Sequence, residues 1–135
     1  MDYKQLKSLI PKNKYDFEPF PTLLIINEDE VKPILSDLLF WIADMNCPIA
    51  LEMIKVLARF SDSVTPLIKK VLRPSETDEI WKYFIITDLI PELSIFSQKL
   101  LMVDIKRIID EPTDGELREE VWNVAKDFFE LHKEF

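Results

Sequence analysis

Apolar residues recur along the chain at helical spacing, and the polar residues fall between them in the same rhythm. Leu117, Val121, Val124 and Phe128 follow each other at steps of four, three and four, so they share one helical stripe. Met53, Leu57 and Phe60 repeat the pattern, with Ile49, Ile54 and Val56 widening the face. From Trp81 to Ile90 the sequence is apolar almost all round, interrupted by Lys82, Thr87 and Asp88, which predicts a helix covered on several sides at the centre of the fold. The expected helices lie at about 2–9, 28–44, 48–60, 63–73, 78–90, 95–110 and 114–132, with an irregular Pro- and aromatic-rich connection over 11–26 and a helical turn near Phe17. Start signals support these positions. Thr113 and Glu116 have capping-box spacing, as do Asn27 and Glu30. Thr77-Asp78-Glu79 places acids at the opening of the central helix, and Pro48 suits a first helical turn.

A second regularity operates over a longer distance. Val31-Lys32-Pro33-Ile34-Leu35 recurs as Val64-Thr65-Pro66-Leu67-Ile68, a shift of 33 residues. The same shift takes Leu38 to Val71, Leu39 to Leu72, Met53 to Ile86, Val56 to Leu89 and Leu57 to Ile90. A constant offset across both helices of a pair is the mark of a duplicated helix-turn-helix unit, and a third pair follows with a longer period. Each pair is unable to bury its inner stripe alone, so stacking creates the core. The expected fold is therefore all-α: a right-handed superhelix of about three stacked antiparallel helix pairs in one domain over 1–135. Its expected parts are an N-terminal extension (1–26) and pairs over 27–60, 62–93 and 95–132. The prolines are expected to kink the first helices. This layout resembles HEAT and armadillo repeats. The first-helix proline, the turn acid Asp44 and the Trp81-Lys82 pair opening a second helix occupy the matching places, whereas Ala50 stands where the first unit's base belongs.

Composition agrees with helices. Gly115 is the single glycine, whereas nine prolines punctuate the chain. Cys47 is the single cysteine, which excludes an internal disulfide and suits a reducing compartment. No secretory signal is evident, and the apolar runs are too short to span a bilayer, so a soluble cytoplasmic protein is expected. The net charge is −8, and the segment 108–135 supplies most of it, with nine acids against three bases. Phosphate binding requires clustered Lys and Arg, so nucleic acid is not an expected partner; a protein is, and the acidic end admits two readings, a solvated face that aids solubility and a surface that attracts a basic partner. Glu116, Glu119 and Glu120 are the expected acidic surface.

Four segments resemble the signature stretches of an uncharacterised, mainly bacterial family catalogued as domain of unknown function 5071. They are Leu9 to Phe17, Trp41 to Ala50, Asp78 to Tyr83 and Pro112 to Glu116. Cys47 departs from the family, whose members commonly carry tryptophan there. The resemblance implies a helical fold in a bacterial cytoplasm and no particular activity.

Catalytic chemistry finds little support. His132 is the only histidine, near the end of the last helix, where it complements the helix terminus. Cys47 has no basic neighbour in sequence and reads as a buried, inert thiol. No metal-ligand spacing and no phosphate-cradling glycine loop occurs, so no metal or cofactor is expected. The candidate binding residues lie in the turns before the second helices: Asp44, Asn46, Trp81, Lys82 and Tyr83, joined by Lys12 and Asp16. They admit two readings. In one, Asp44 pairs with Lys82, Asn46 caps a helix and Trp81 fills the seam between units. In the other, the aromatic and basic side chains form a binding patch. The expected function is a non-catalytic protein-interaction module; the alternatives are an immunity or antitoxin factor masking a basic toxin, and an enzyme with a carboxylate-based site.

Overall fold

In a computed structural model, which describes residues 1–134, the described residues form helices joined by short turns and no strand. The N-terminal part holds α1 (Tyr3–Lys7) and α2 (Phe20–Leu23). Then come α3 (Glu28–Val31), a 3-10 turn at Lys32–Ile34, α4 (Leu35–Phe40) and a second 3-10 turn at Trp41–Ala43. α5 (Ala50–Ala58) and α6 (Ser61–Val71) follow. α7 (Glu79–Phe84) continues through a π-helical turn (Ile85–Leu89) and a 3-10 turn (Ile90–Glu92). α8 (Ile95–Asp110), α9 (Asp114–Arg118) and α10 (Val121–His132) complete the chain.

Packing produces two rows. α4 packs on α6 and α6 on α8; in the second row α5 packs on the π-helical continuation of α7, and α7 with that continuation packs on α10. Contacts of α4 with α5 and of α8 with α10 join the rows. Several apolar residues related by the 33-residue shift are buried at both places, although Ile34 is buried and Leu67 half-buried, and Lys32 exposed and Thr65 buried. Val31 and Val64, Leu35 and Ile68, Leu39 and Leu72, Met53 and Ile86, and Leu57 and Ile90 are all buried. Hydrogen bonds between distant parts keep a similar step. Arg59 Nη2 donates to Ile26 O over 33 residues, Lys69 Nζ to Asp104 Oδ2 over 35, and Arg107 Nη2 to Leu72 O over 35.

Several expected details differ. Pro33 sits in the 3-10 turn that divides α3 from α4, whereas α6 runs unbroken through Pro66. The central helix is capped by Asp78 rather than Thr77, the Asp78 side chain accepting from Trp81 N. The helix expected over 114–132 is two helices. Glu120 takes a left-handed φ of 65°, which resets the helical phase, so Leu117 is 51% exposed while Val121 and Phe128 are buried. The expected turn near Phe17 lies slightly later, as α2.

Candidate functional site

Lys82 decides the geometry of the turn side. By the 33-residue shift it occupies the position of the fully buried Ile49, and its side chain is likewise 0% exposed. A buried ammonium needs a counter-charge. Glu116 supplies it, its Oε2 lying 2.9 Å from Lys82 Nζ. Thr113 caps α9 and its N–H donates to Glu116 Oε1 at 2.9 Å, while Arg107 grips both carboxylate oxygens at 2.5 and 2.7 Å. Burial by itself would raise the Glu116 pKa; the hydrogen bonds from Arg107, the Thr113 N–H and Lys82 override it and hold the carboxyl at about 2. Glu79 also belongs to the network; its Oε2 lies 3.6 Å from Lys82 Nζ and accepts no hydrogen bond among the described residues. Burial pushes its pKa up, the Lys82 charge opposes this, and the Glu116 charge reinforces it. α9 reaches this network because Gly115 has no side chain: a Cβ there would lie 2.9 Å from Glu79 Oε1.

These facts revise two expectations. Lys82 does not pair with Asp44, and it is not available to a ligand. Glu116 is not part of an acidic surface; it is a buried counter-ion, whereas Glu119 and Glu120 are exposed.

The remaining turn residues do gather. Asp44, Asn46 and Tyr83 line an open cleft of about 540 Å³ together with Ile80, Phe84 and Glu119. Three separate segments contribute: the loop before α5, then α7, then the α9–α10 break. An apolar cleft of about 390 Å³ lies alongside, sharing Ala43 and Asp44 and lined further by Lys14, Phe40, Trp41 and Cys47. Asp44 Oδ1 accepts the Asn46 N–H at 2.9 Å, a local turn that leaves both side chains exposed. Asn46 therefore caps no helix; α5 begins without a side-chain cap.

Trp81 fills a seam. Its indole stands edge-on to Phe40, with centroids 5.4 Å apart, and Nε1 donates to Leu39 O at 3.1 Å. Lys12 and Asp16 lie apart, in a local turn where Lys12 N–H donates to Asp16 Oδ2 at 2.9 Å. Lys14, between them in sequence, is the residue of that loop that reaches the apolar cleft. Cys47 is buried, with Sγ 3.7 Å from Lys14 O. His132 stacks on Phe128 at 4.1 Å, and its Nδ1 lies 2.8 Å from Phe128 O.

Phe40, Ile80, Phe84 and Lys14 at the clefts, and Arg107 and Glu79 in the network, were not among the expected site residues. The network had a readable signal: a lysine in a core register position, followed 34 residues later by a glutamate. The cleft's apolar members had none, because their helical stripes do not distinguish them from core.

Fold and site together define an all-helical protein of stacked helices, pinned by a buried ionic network and carrying an aromatic, acid-edged cleft at its turns. The family model described as Domain of unknown function (DUF5071) matches residues 9–129, and the chain belongs to that family. No curated protein matches the sequence. No described helix is long and apolar enough to cross a membrane.

Proposed function

We propose that this chain is a non-catalytic protein-interaction module, a HEAT-like superhelical stack of helix pairs that works in the cytoplasm and engages a protein partner through its turn-side cleft. The observation that carries the reading is the exposure of large apolar side chains in a concave, acid-edged surface. Phe40 is 59% and Ile80 54% exposed, and Trp41, Tyr83 and Phe84 beside them are half-buried. Contiguous apolar surface of this kind marks interaction sites, and aromatic anchors dominate their energetics. A carboxylate-based enzyme is the weaker reading, because the two buried glutamates with perturbed ionisation, Glu79 and Glu116, are committed to Lys82 and Arg107 and line neither cleft. An immunity or antitoxin role is one form of the same activity, with a basic toxin as the partner. The net charge of −8 speaks against nucleic acid.

The test is affinity capture from the native host with the wild type, Ile80→Glu, Tyr83→Ala and, as an exposed control outside both clefts, Leu131→Ala as baits. A discrete protein held by the wild type and by Leu131→Ala, and lost with Ile80→Glu, is the expected result. Equal capture by all four baits, or no specific protein with any, overturns the reading.

A further inference from the structure

We propose that the cleft binds a short basic segment of a partner protein, seating one Lys or Arg at Asp44 with an apolar residue on either side. This rests on the reading of the cleft as a docking surface.

The two concavities share Ala43 and Asp44, so Asp44 stands between two apolar half-sites. On one side are Phe40, Trp41 and Cys47; on the other, Ile80, Tyr83 and Phe84. Each half falls at the lower end of the size range of concave binding sites. The charge at the junction is unmatched within the chain. The Asp44 carboxylate accepts only the neighbouring Asn46 N–H among the described hydrogen bonds and has no ion pair within 4.0 Å among the described residues. Among the described residues the Glu119 carboxylate forms one ion pair, with the adjacent exposed Arg118 at 3.6 Å, and such a pair contributes little in water. A carboxylate beside aromatic rings suits a side chain with an apolar stem and a cationic tip: the stem packs on the rings and the tip meets the oxygens. The long arm of Lys or Arg meets both needs, and a phosphate or an acidic segment meets neither.

Lys14 gives the site a direction. It lies at the apolar half, away from Glu119, with Nζ 5.5 Å from the Tyr15 ring centroid. A second base is repelled there and attracted at Glu119. The fitting segment is therefore neutral or acidic at the Lys14 end, basic at Asp44, and tolerant of another base toward Glu119.

The experiment is selection of a displayed library of random dodecapeptides on the full chain, followed by titration of the isotope-labelled chain with the best synthetic peptides. Enrichment of Lys or Arg flanked by Leu, Ile or aromatic residues is expected, with amide shifts at Asp44, Tyr83 and Glu119. Asp44→Asn, whose amide oxygen preserves the turn bond to the Asn46 N–H, should weaken binding about tenfold or more. Peptides that shift those amides but lack a base, or bind Asp44→Asn unchanged, overturn the basic-segment inference and leave the docking reading standing. Peptides that bind elsewhere, or no selected binder, overturn both. Concentration-dependent broadening of the cleft amides with dimer formation in sedimentation identifies a second copy as the occupant and also overturns it.

Discussion

Replacing Glu116 by alanine removes the one carboxylate that satisfies Lys82, both terminal nitrogens of Arg107 and the Thr113 N–H. Lys82, 0% exposed, is then left with Glu79 at 3.6 Å, beyond hydrogen-bonding reach. Two routes give the magnitude. Holding the Glu116 carboxyl at about 2 instead of 4.5 corresponds to about 3 kcal/mol of folded-state stabilisation at neutral pH. Deleting one partner of a buried ion pair costs about 3–5 kcal/mol. The routes agree, and a loss of this size is a large share of the roughly 5–15 kcal/mol that holds a domain folded. Urea unfolding is the assay. Because the pKa is lowered, the Glu116 contribution is complete above 4.5 and fades as pH falls from 4.5 to about 2, so the gap between wild type and variant should close over that window. Removing both charges in Lys82→Met/Glu116→Leu should cost at least about 2 kcal/mol less than the two single substitutions added together. A single-variant cost below about 1 kcal/mol, an additive double variant, or a gap indifferent to pH would refute the reasoning.

Glu79 should respond in the opposite sense. Its pKa is raised, so its charge opposes folding at neutral pH, and Glu79→Gln should leave urea stability within about 0.5 kcal/mol of wild type or increase it. Gly115→Ala should destabilise by about 1 kcal/mol despite alanine's better helix propensity, and thermal unfolding should show the penalty vanish in a Glu79→Ala background, where the clash at 2.9 Å is gone. Glu120→Gly relieves a left-handed residue at φ 65° and should stabilise by about 0.5–1 kcal/mol in the same assay.

Helical class was legible because it depends on local signals: periodic apolar residues, the Asn27 and Thr113 caps, and the scarcity of glycine. Burial of Val31 and Val64, Leu35 and Ile68, and Met53 and Ile86 was legible for the same reason, since each helix writes its core face in its own sequence. Lys82 was misread because a lysine on an apolar helix ordinarily reaches solvent; only the spatial meeting with Glu116, a residue already assigned to a cap, makes its burial tolerable. The same capping role concealed Glu116 as a core counter-ion. Leu117 misled because periodicity does not register a backbone reversal at Glu120, a residue type that rarely adopts φ of 65°. The cleft was half legible. Asp44, Asn46 and Tyr83 were singled out as turn residues, but Phe40, Ile80 and Phe84 read as ordinary helical stripe, and Glu119 as part of a separate acidic surface.

The turn-side cleft is the proposed meeting place of this protein and its partner. Placing a photo-crosslinking benzophenone side chain at Ile80 in the host cell, against the same group at the more exposed Leu131, which lines neither cleft, tests it most directly, because both positions are exposed and neither substitution disturbs the core. Irradiation should give one discrete protein adduct from position 80 that disappears in an Asp44→Lys background, and no matching adduct from position 131. No adduct at position 80, or the same adducts from both positions, would contradict the account.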